Sequence, residues 1–313
     1  MKKIYLKYIG NILTILAIIF LINRIIKLDV DYKNIFNIKN SIILFNLSLL
    51  YSLHILMCCL PWKLSIEIVT NKKIDFYEVS EVFTKANLMK YIPGNVFQYV
   101  GRNDIAIKKE ISHIKIVIST ILDILMNIIG MGIISIIFYR RGIEIWVNYL
   151  NIPIIKILIV FITGVFIILV IFRVKIYNII DKIKPNLSAR KIKLCFYSIL
   201  YYIASGIYTG IFYLIILKVV VDMDFSFKEA ITILGAYSLS WIIGFIMPGA
   251  PGGIGVREVA ITVFLSNIVN IDQILLGIII YRFITIIGDF LGLFLTKIYR
   301  IFKKYGNRGV EEI

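Results

Sequence analysis

Acidic residues are scarce in this chain. Asp and Glu number 19 in 313 residues, and charged residues of both signs make up only 17%. A soluble chain of this length needs a large polar surface to meet water, and a composition that is 59% hydrophobic does not supply one. Histidine and cysteine are sparser still, with two and three copies. Neither falls in C-x-x-C, H-E-x-x-H or another zinc-type spacing, so neither a metal nor a cofactor is expected. There is no nucleophile elbow and no Walker A loop. Gly253-Ile254-Gly255 lacks the third glycine and the strand–helix setting of a dinucleotide site. Cys58, Cys59 and Cys195 lie in or beside apolar runs and read as packing residues.

What is present is a series of long apolar runs. About 20 apolar residues span a bilayer. Residues 10–26, 41–60, 116–138, 154–172, 195–221 and 274–297 meet or approach that length, so the chain is expected to be an all-α polytopic membrane protein with about six full transmembrane helices. The first run follows Met1-Lys2-Lys3 as a signal peptide's would, but it leads into Asn23-Arg24 with no small-residue cleavage site and reads as a retained helix. The whole of 1–313 is expected to be one integral membrane domain with no soluble domain, its solvated midpoint marked by Pro185, Asn186 and Ser188.

The net charge of +16 raises nucleic acid as a partner, but the basic residues sit between apolar runs and form no stripe interleaved with aromatics. They act instead as a topology signal that also attracts anionic lipid. The second connection carries Lys63, Lys72, Lys73, Lys85, Lys90, Arg102, Lys108, Lys109 and Lys115. The fourth carries Arg173, Lys175, Lys182, Lys184, Arg190, Lys191 and Lys193. The first, third and fifth are poor by comparison, so the second and fourth are assigned to the cytoplasm of a bacterial-type cell membrane, with both termini on that side. That parity requires 79–107 to return to the cytoplasm and 230–269 to enter and leave from outside, each as a re-entrant or broken-helix segment.

These two segments hold the unusual sequence. One reads Pro93-Gly94-Asn95-Val96-Phe97-Gln98-Tyr99-Val100-Gly101-Arg102-Asn103-Asp104. The other reads Pro248-Gly249-Ala250-Pro251-Gly252-Gly253-Ile254-Gly255-Val256-Arg257-Glu258. Both open on Pro-Gly, place an Arg nine residues after that proline and follow it with an acid. Inserted from opposite sides, they form an inverted repeat, roughly 41–172 and 195–297, of the kind that marks a midplane binding site in transporters. The competing reading is two chance breaker pairs with snorkelling arginines.

The chemistry that suits such a pair is anion binding. Glycines let backbone approach a ligand, a restarting helix aims N–H groups at it, and a guanidinium adds a fork of donors matched to phosphate. The candidate ligands are Arg257 with Gly252, Gly253 and Gly255, and Arg102 with Asn95 and Gln98. Pro93, Gly94, Pro248, Gly249 and Pro251 are the expected hinges. The alternative for Arg257 is a structural ion pair with Glu258 or another acid. Asp123 lies four residues from Asn127, Tyr281 four from Thr285, and Arg282 seven from Asp289, each pair on one helical face. Glu258, Asp123, Arg282 and Asp289 are therefore expected to balance charge or gate, with interhelical bonding as the alternative. His54 and His113 read as structural, and Glu67 and Glu78 as interfacial.

Lys90-Tyr91-Ile92-Pro93-Gly94-Asn95-Val96-Phe97-Gln98, Gly101-Arg102 and, more specifically, residues 248–258 resemble the family typified by the transmembrane region of lysylphosphatidylglycerol synthase, the multiple-peptide-resistance flippase domain. Where that family often carries an acid–Arg pair before the aspartate matched by Asp123, this chain has Ser119 and Thr120. The resemblance implies movement of aminoacylated phosphatidylglycerol between leaflets, and the paired arginines widen the expectation to an anionic phospholipid or a polyprenyl-phosphate lipid. Two alternatives stand beside this expectation, the first of them also drawn from the resemblance. One is a phosphatidylglycerol lysyltransferase or its membrane subunit, reaching aminoacyl-tRNA through a separate lipid-modifying enzyme, since the family's soluble catalytic domain has no counterpart in this sequence. The other is a scaffold for an envelope glycosyltransferase.

Overall fold

A computed structural model of the chain describes residues 37–91, 97–140, 142, 144, 188–247, 251–266 and 268–311. The expected spans at 10–26 and 154–172 lie outside these residues. The described secondary structure is helical throughout, without strands. Five stretches are long and apolar enough to cross a membrane: Ile38–Thr70, His113–Phe138, Ala189–Val220, Phe227–Ile246 and Ile271–Tyr299.

The first of these is a bent rod of two helices, α1 (Ile38–Met57) and α2 (Cys59–Thr70). The bend falls at Cys58 because Pro61 has no N–H to offer the Met57 carbonyl four residues back, and its ring crowds that carbonyl. Asp75 opens α3 (Phe76–Leu88) by accepting the Tyr77 N–H at 3.2 Å. A 3₁₀ turn, Met89–Tyr91, follows its last residue. Two short helices follow, α4 (Phe97–Gly101) and α5 (Asp104–Lys109), and then the long α6 (His113–Phe138). Helix α7 (Ala189–Ile215) runs on into a π turn, Ile216–Val220. Helix α8 (Phe227–Ile246) starts at a capping box between Ser226 and Glu229. After a 3₁₀ turn at Pro251–Gly253 come α9 (Val256–Leu265) and α10 (Ile271–Glu311).

The helices are inside out by the standard of a water-soluble protein. On α6, Ile114, Val117, Ile121, Leu125 and Ile129 face outward, whereas Ser119, Thr120 and Asp123 are buried. On α10, Phe283, Ile287, Phe290 and Phe294 repeat every three or four residues on the exposed side, with Tyr281, Thr285 and Asp289 buried. A surface helix in water turns its apolar stripe to the core. Apolar outside with small and polar residues inside is the arrangement that hydrocarbon selects.

Helix α10 packs along α1 and α3, while α6 lies against α2, α7 and α8. One core, with Trp62, Val79, Phe83 and Ile105, joins α2, α3 and α5. A second, with Tyr213, Leu217, Tyr237, Ile261, Leu275 and Tyr281, joins α7 to α10. Residues 230–269 do form two helices around a break, packed on each other, but α8 is longer than a re-entrant arm needs. Its capping box starts it upstream at Phe227, and no proline interrupts it before Pro248. Its 20 residues cover about 30 Å, enough to cross the hydrocarbon, whereas the 10 residues of α9 cover about half of that.

Candidate functional site

A cavity of about 180 Å³ lies between the two broken segments and is lined by both. The 3₁₀ turn at Met89–Tyr91 abuts the one at Pro251–Gly253, and a methyl group built on Gly252 would sit 3.9 Å from Lys90 Cγ. Tyr99 of α4 meets Phe245 of α8 edge-on at 6.1 Å, a second contact between the segments. Asn95, Pro93, Gly94, Pro248 and Gly249 lie outside the described residues, as does the side chain of Pro251.

In the first segment Arg102 follows α4 directly. Its guanidinium sits among the rings of Phe83, Trp62 and Tyr99, 4.5, 5.2 and 5.8 Å from their centres, and donates to Asp123 Oδ2 at 2.7 Å. Asp123 Oδ1 accepts the Tyr202 hydroxyl at 2.5 Å. One turn before Asp123, Thr120 accepts the Trp62 indole N–H at 3.3 Å. Arg102 therefore lines the cavity as one half of an ion pair, and Asp123 is its counter-ion. Gln98 and Asn127 line the cavity as well.

The second segment is built around three glycines in left-handed backbone, Gly252, Gly253 and Gly255, at φ 57°, 71° and 84°. At Gly253 no side chain fits in any case, since a Cβ would fall 2.8 Å from the Gly244 carbonyl oxygen. Arg282 of α10 stitches this turn together. Its Nη1 and Nη2 donate to the carbonyls of Gly252 and Gly253 at 2.7 and 2.9 Å, and its Nε donates to Glu258 Oε1 at 2.6 Å. The other Glu258 oxygen accepts the Gly255 N–H at 2.6 Å. This departs from the expectation of free N–H groups aimed at a ligand. The Gly255 N–H is consumed inside the turn, and Gly252 and Gly253 present carbonyls to Arg282, because a broken helix must satisfy its own backbone before it can serve a ligand.

Glu258 is thus committed to Arg282, and Arg257 is not its partner. Arg257 is 8% exposed, with its guanidinium over the Tyr237 ring at 4.5 Å and the Tyr281 ring at 5.6 Å. Tyr237 donates to the Tyr281 hydroxyl at 2.6 Å, which fixes the two rings against each other. Among the described residues Arg257 makes no ion pair, and its Nε and Nη2 have no hydrogen-bond partner although they are buried at the cavity. Tyrosine faces offset part of the cost of a buried cation, and leave most of its donor capacity unused.

Asp289 joins the first broken segment to α10. It accepts from Lys90 Nζ at 2.6 Å, Asn87 Nδ2 at 2.7 Å and the Tyr91 hydroxyl at 2.5 Å, tying the end of α3 to α10. Lys90, which counts as a loop charge in the sequence, is a largely buried cation lining the cavity. His54 also faces the cavity, its Nε2 within 3.4 Å of Cys58 Sγ and 3.3 Å of Ser205 Oγ. His113 meets Asn103 at 2.7 Å, Glu67 pairs with Arg190, and Glu78 pairs with Lys109 at 2.6 Å, all away from the cavity. Lys90, Asn87, Tyr202 and Tyr237 escape a reading of the sequence. For Lys90 alone there was a signal, its place three residues before Pro93. No group of His, Cys, Asp or Glu among the described residues could hold a metal. No family model, curated protein or solved structure matches the chain.

Proposed function

We propose that the protein is a membrane lipid transporter whose cavity receives the phosphate-bearing head group of an anionic lipid at Arg257. One observation carries this reading: a guanidinium that is buried, faces a cavity, and has two nitrogens without partners. A cation in that state is costly, and an anion that enters the cavity supplies both charge and acceptors. The cavity volume is below the 300–1,000 Å³ or so of sites that enclose a whole small molecule, which fits a head group with its chains left in the bilayer.

In this reading the two broken segments are the halves of an inverted repeat in a bacterial-type cell membrane. The ion pairs support the relation. Arg102 follows a short helix and pairs with Asp123 on the next long one, while Glu258 lies in a short helix and pairs with Arg282 on the next long one, with the charges exchanged. Such pairs brace each break so that Arg257 remains available. The test is leaflet exchange of a fluorescent anionic phospholipid in proteoliposomes. Arg257→Gln is expected to lower the rate at least tenfold, and an unchanged rate sinks the assignment.

A further inference from the structure

The charges around the cavity leave one unopposed. Lys90, Arg102, Arg257 and Arg282 are its cationic lining. Three of them are held by carboxylates at 2.6 or 2.7 Å: Lys90 by Asp289, Arg102 by Asp123, and Arg282 by Glu258. Each carboxylate is occupied further, Asp289 by Asn87 and Tyr91, Asp123 by Tyr202, and Glu258 by the Gly255 N–H. Arg257 remains. The other polar lining includes the uncharged groups of Asn127, Ser205, Thr209 and Gln98. Among the described residues, then, the cavity presents one unopposed positive charge, no unopposed carboxylate, and several neutral hydrogen-bonding groups.

That balance selects among head groups. A buried charge without a partner is strongly disfavoured, so the best occupant brings one negative charge and nothing else that is ionised. A phosphodiester does so. A phosphomonoester or a pyrophosphate brings extra negative charge that no cation answers. An aminoacylated or choline head brings a cation that no free carboxylate receives. We infer that the site is selective for a monoanionic phosphodiester lipid whose head group is otherwise uncharged and hydroxylated, as in phosphatidylglycerol, and that it discriminates against the aminoacylated form. This deepens the transporter reading above and rests on it.

The test is native mass spectrometry of the full-length protein in detergent with an equimolar mixture of phosphatidylglycerol, lysylphosphatidylglycerol, phosphatidic acid and phosphatidylcholine. The expected result is at least tenfold preferential retention of phosphatidylglycerol over each of the others, lost in Arg257→Gln. The comparison on the unaltered protein needs no variant to fold. Retention of lysylphosphatidylglycerol equal to or above that of phosphatidylglycerol, still dependent on Arg257, overturns the charge selectivity and leaves the anion site standing. Equal retention of all four lipids, unchanged in Arg257→Gln, removes both. Glycerophosphoglycerol, the same head without chains, separates the sources: if it binds as tightly as the lipid, the phosphodiester selectivity holds but the ligand is soluble and the transporter reading falls.

Discussion

Arg282 and Glu258, 24 residues apart in sequence, meet at 2.6 Å across the second break, and the same guanidinium holds the carbonyls of Gly252 and Gly253. One side chain thereby answers a charge and two backbone acceptors at a place where a helix has been interrupted. Unsatisfied backbone groups in hydrocarbon cost several kcal/mol each, so the break depends on this residue.

Arg282→Leu is expected to destabilise the fold by at least the ~3–5 kcal/mol of a broken buried pair, since it strands a carboxylate and two carbonyls together. The readout is the thermal unfolding midpoint in detergent. The exchanged pair, Arg282→Glu with Glu258→Arg, is not expected to rescue it, because a carboxylate at position 282 cannot donate to the glycine carbonyls. Full rescue would show that charge alone matters there.

Arg257→Gln has the opposite sign. Removing a buried cation that makes no ion pair costs little without lipid, and the midpoint is expected to stay level or rise by about 1 kcal/mol equivalent. What disappears is stabilisation by added phosphatidylglycerol, which for the unaltered protein reaches about 2.7 kcal/mol at a lipid concentration 100 times the Kd. A loss of stability without lipid as large as that of Arg282→Leu would make Arg257 a structural residue.

The glycines of the turn separate by what surrounds them. Gly252→Ala meets nothing closer than 3.8 Å and bears only the left-handed backbone cost of about 1–2 kcal/mol. Gly253→Ala adds a clash with the Gly244 carbonyl, about 1–3 kcal/mol more. Unfolding midpoints of the two variants should therefore differ, with Gly253→Ala the lower.

Asp289→Asn removes the charge that holds Lys90 and weakens the acceptor of Asn87 and Tyr91. The expected cost is about 2–3 kcal/mol, below that of a fully buried pair because Lys90 keeps some access to the cavity. Hydrogen exchange should rise first in the last turn of α3 and at Met89–Tyr91. Unchanged exchange there would mean that the first segment is held by packing alone.

The membrane class and four of the five long helices were legible from apolar run length, because hydrocarbon thickness sets helix length irrespective of partners. The two breaks were legible for a related reason, that Pro-Gly has few roles at membrane depth. Helix α8 was less so. Pro248, Pro251 and the glycines draw the eye to the break, while its start rests on the reciprocal bonds of Ser226 and Glu229. Lys90 was misread because an exposed loop lysine and one paired with a carboxylate 199 residues later look alike in one dimension.

The sequence by itself determined that the chain lives in a membrane, where its helices are interrupted, and that arginines stand beside the interruptions. These follow from composition and local stereochemistry, which need no neighbours. Only the tertiary structure decided which arginine is committed and which is open. Glu258 adjoins Arg257 in the chain but projects toward Arg282, since consecutive residues on a helix point about 100° apart. Arg257 is thereby left between Tyr237 and Tyr281, facing the cavity with two of its nitrogens unpartnered.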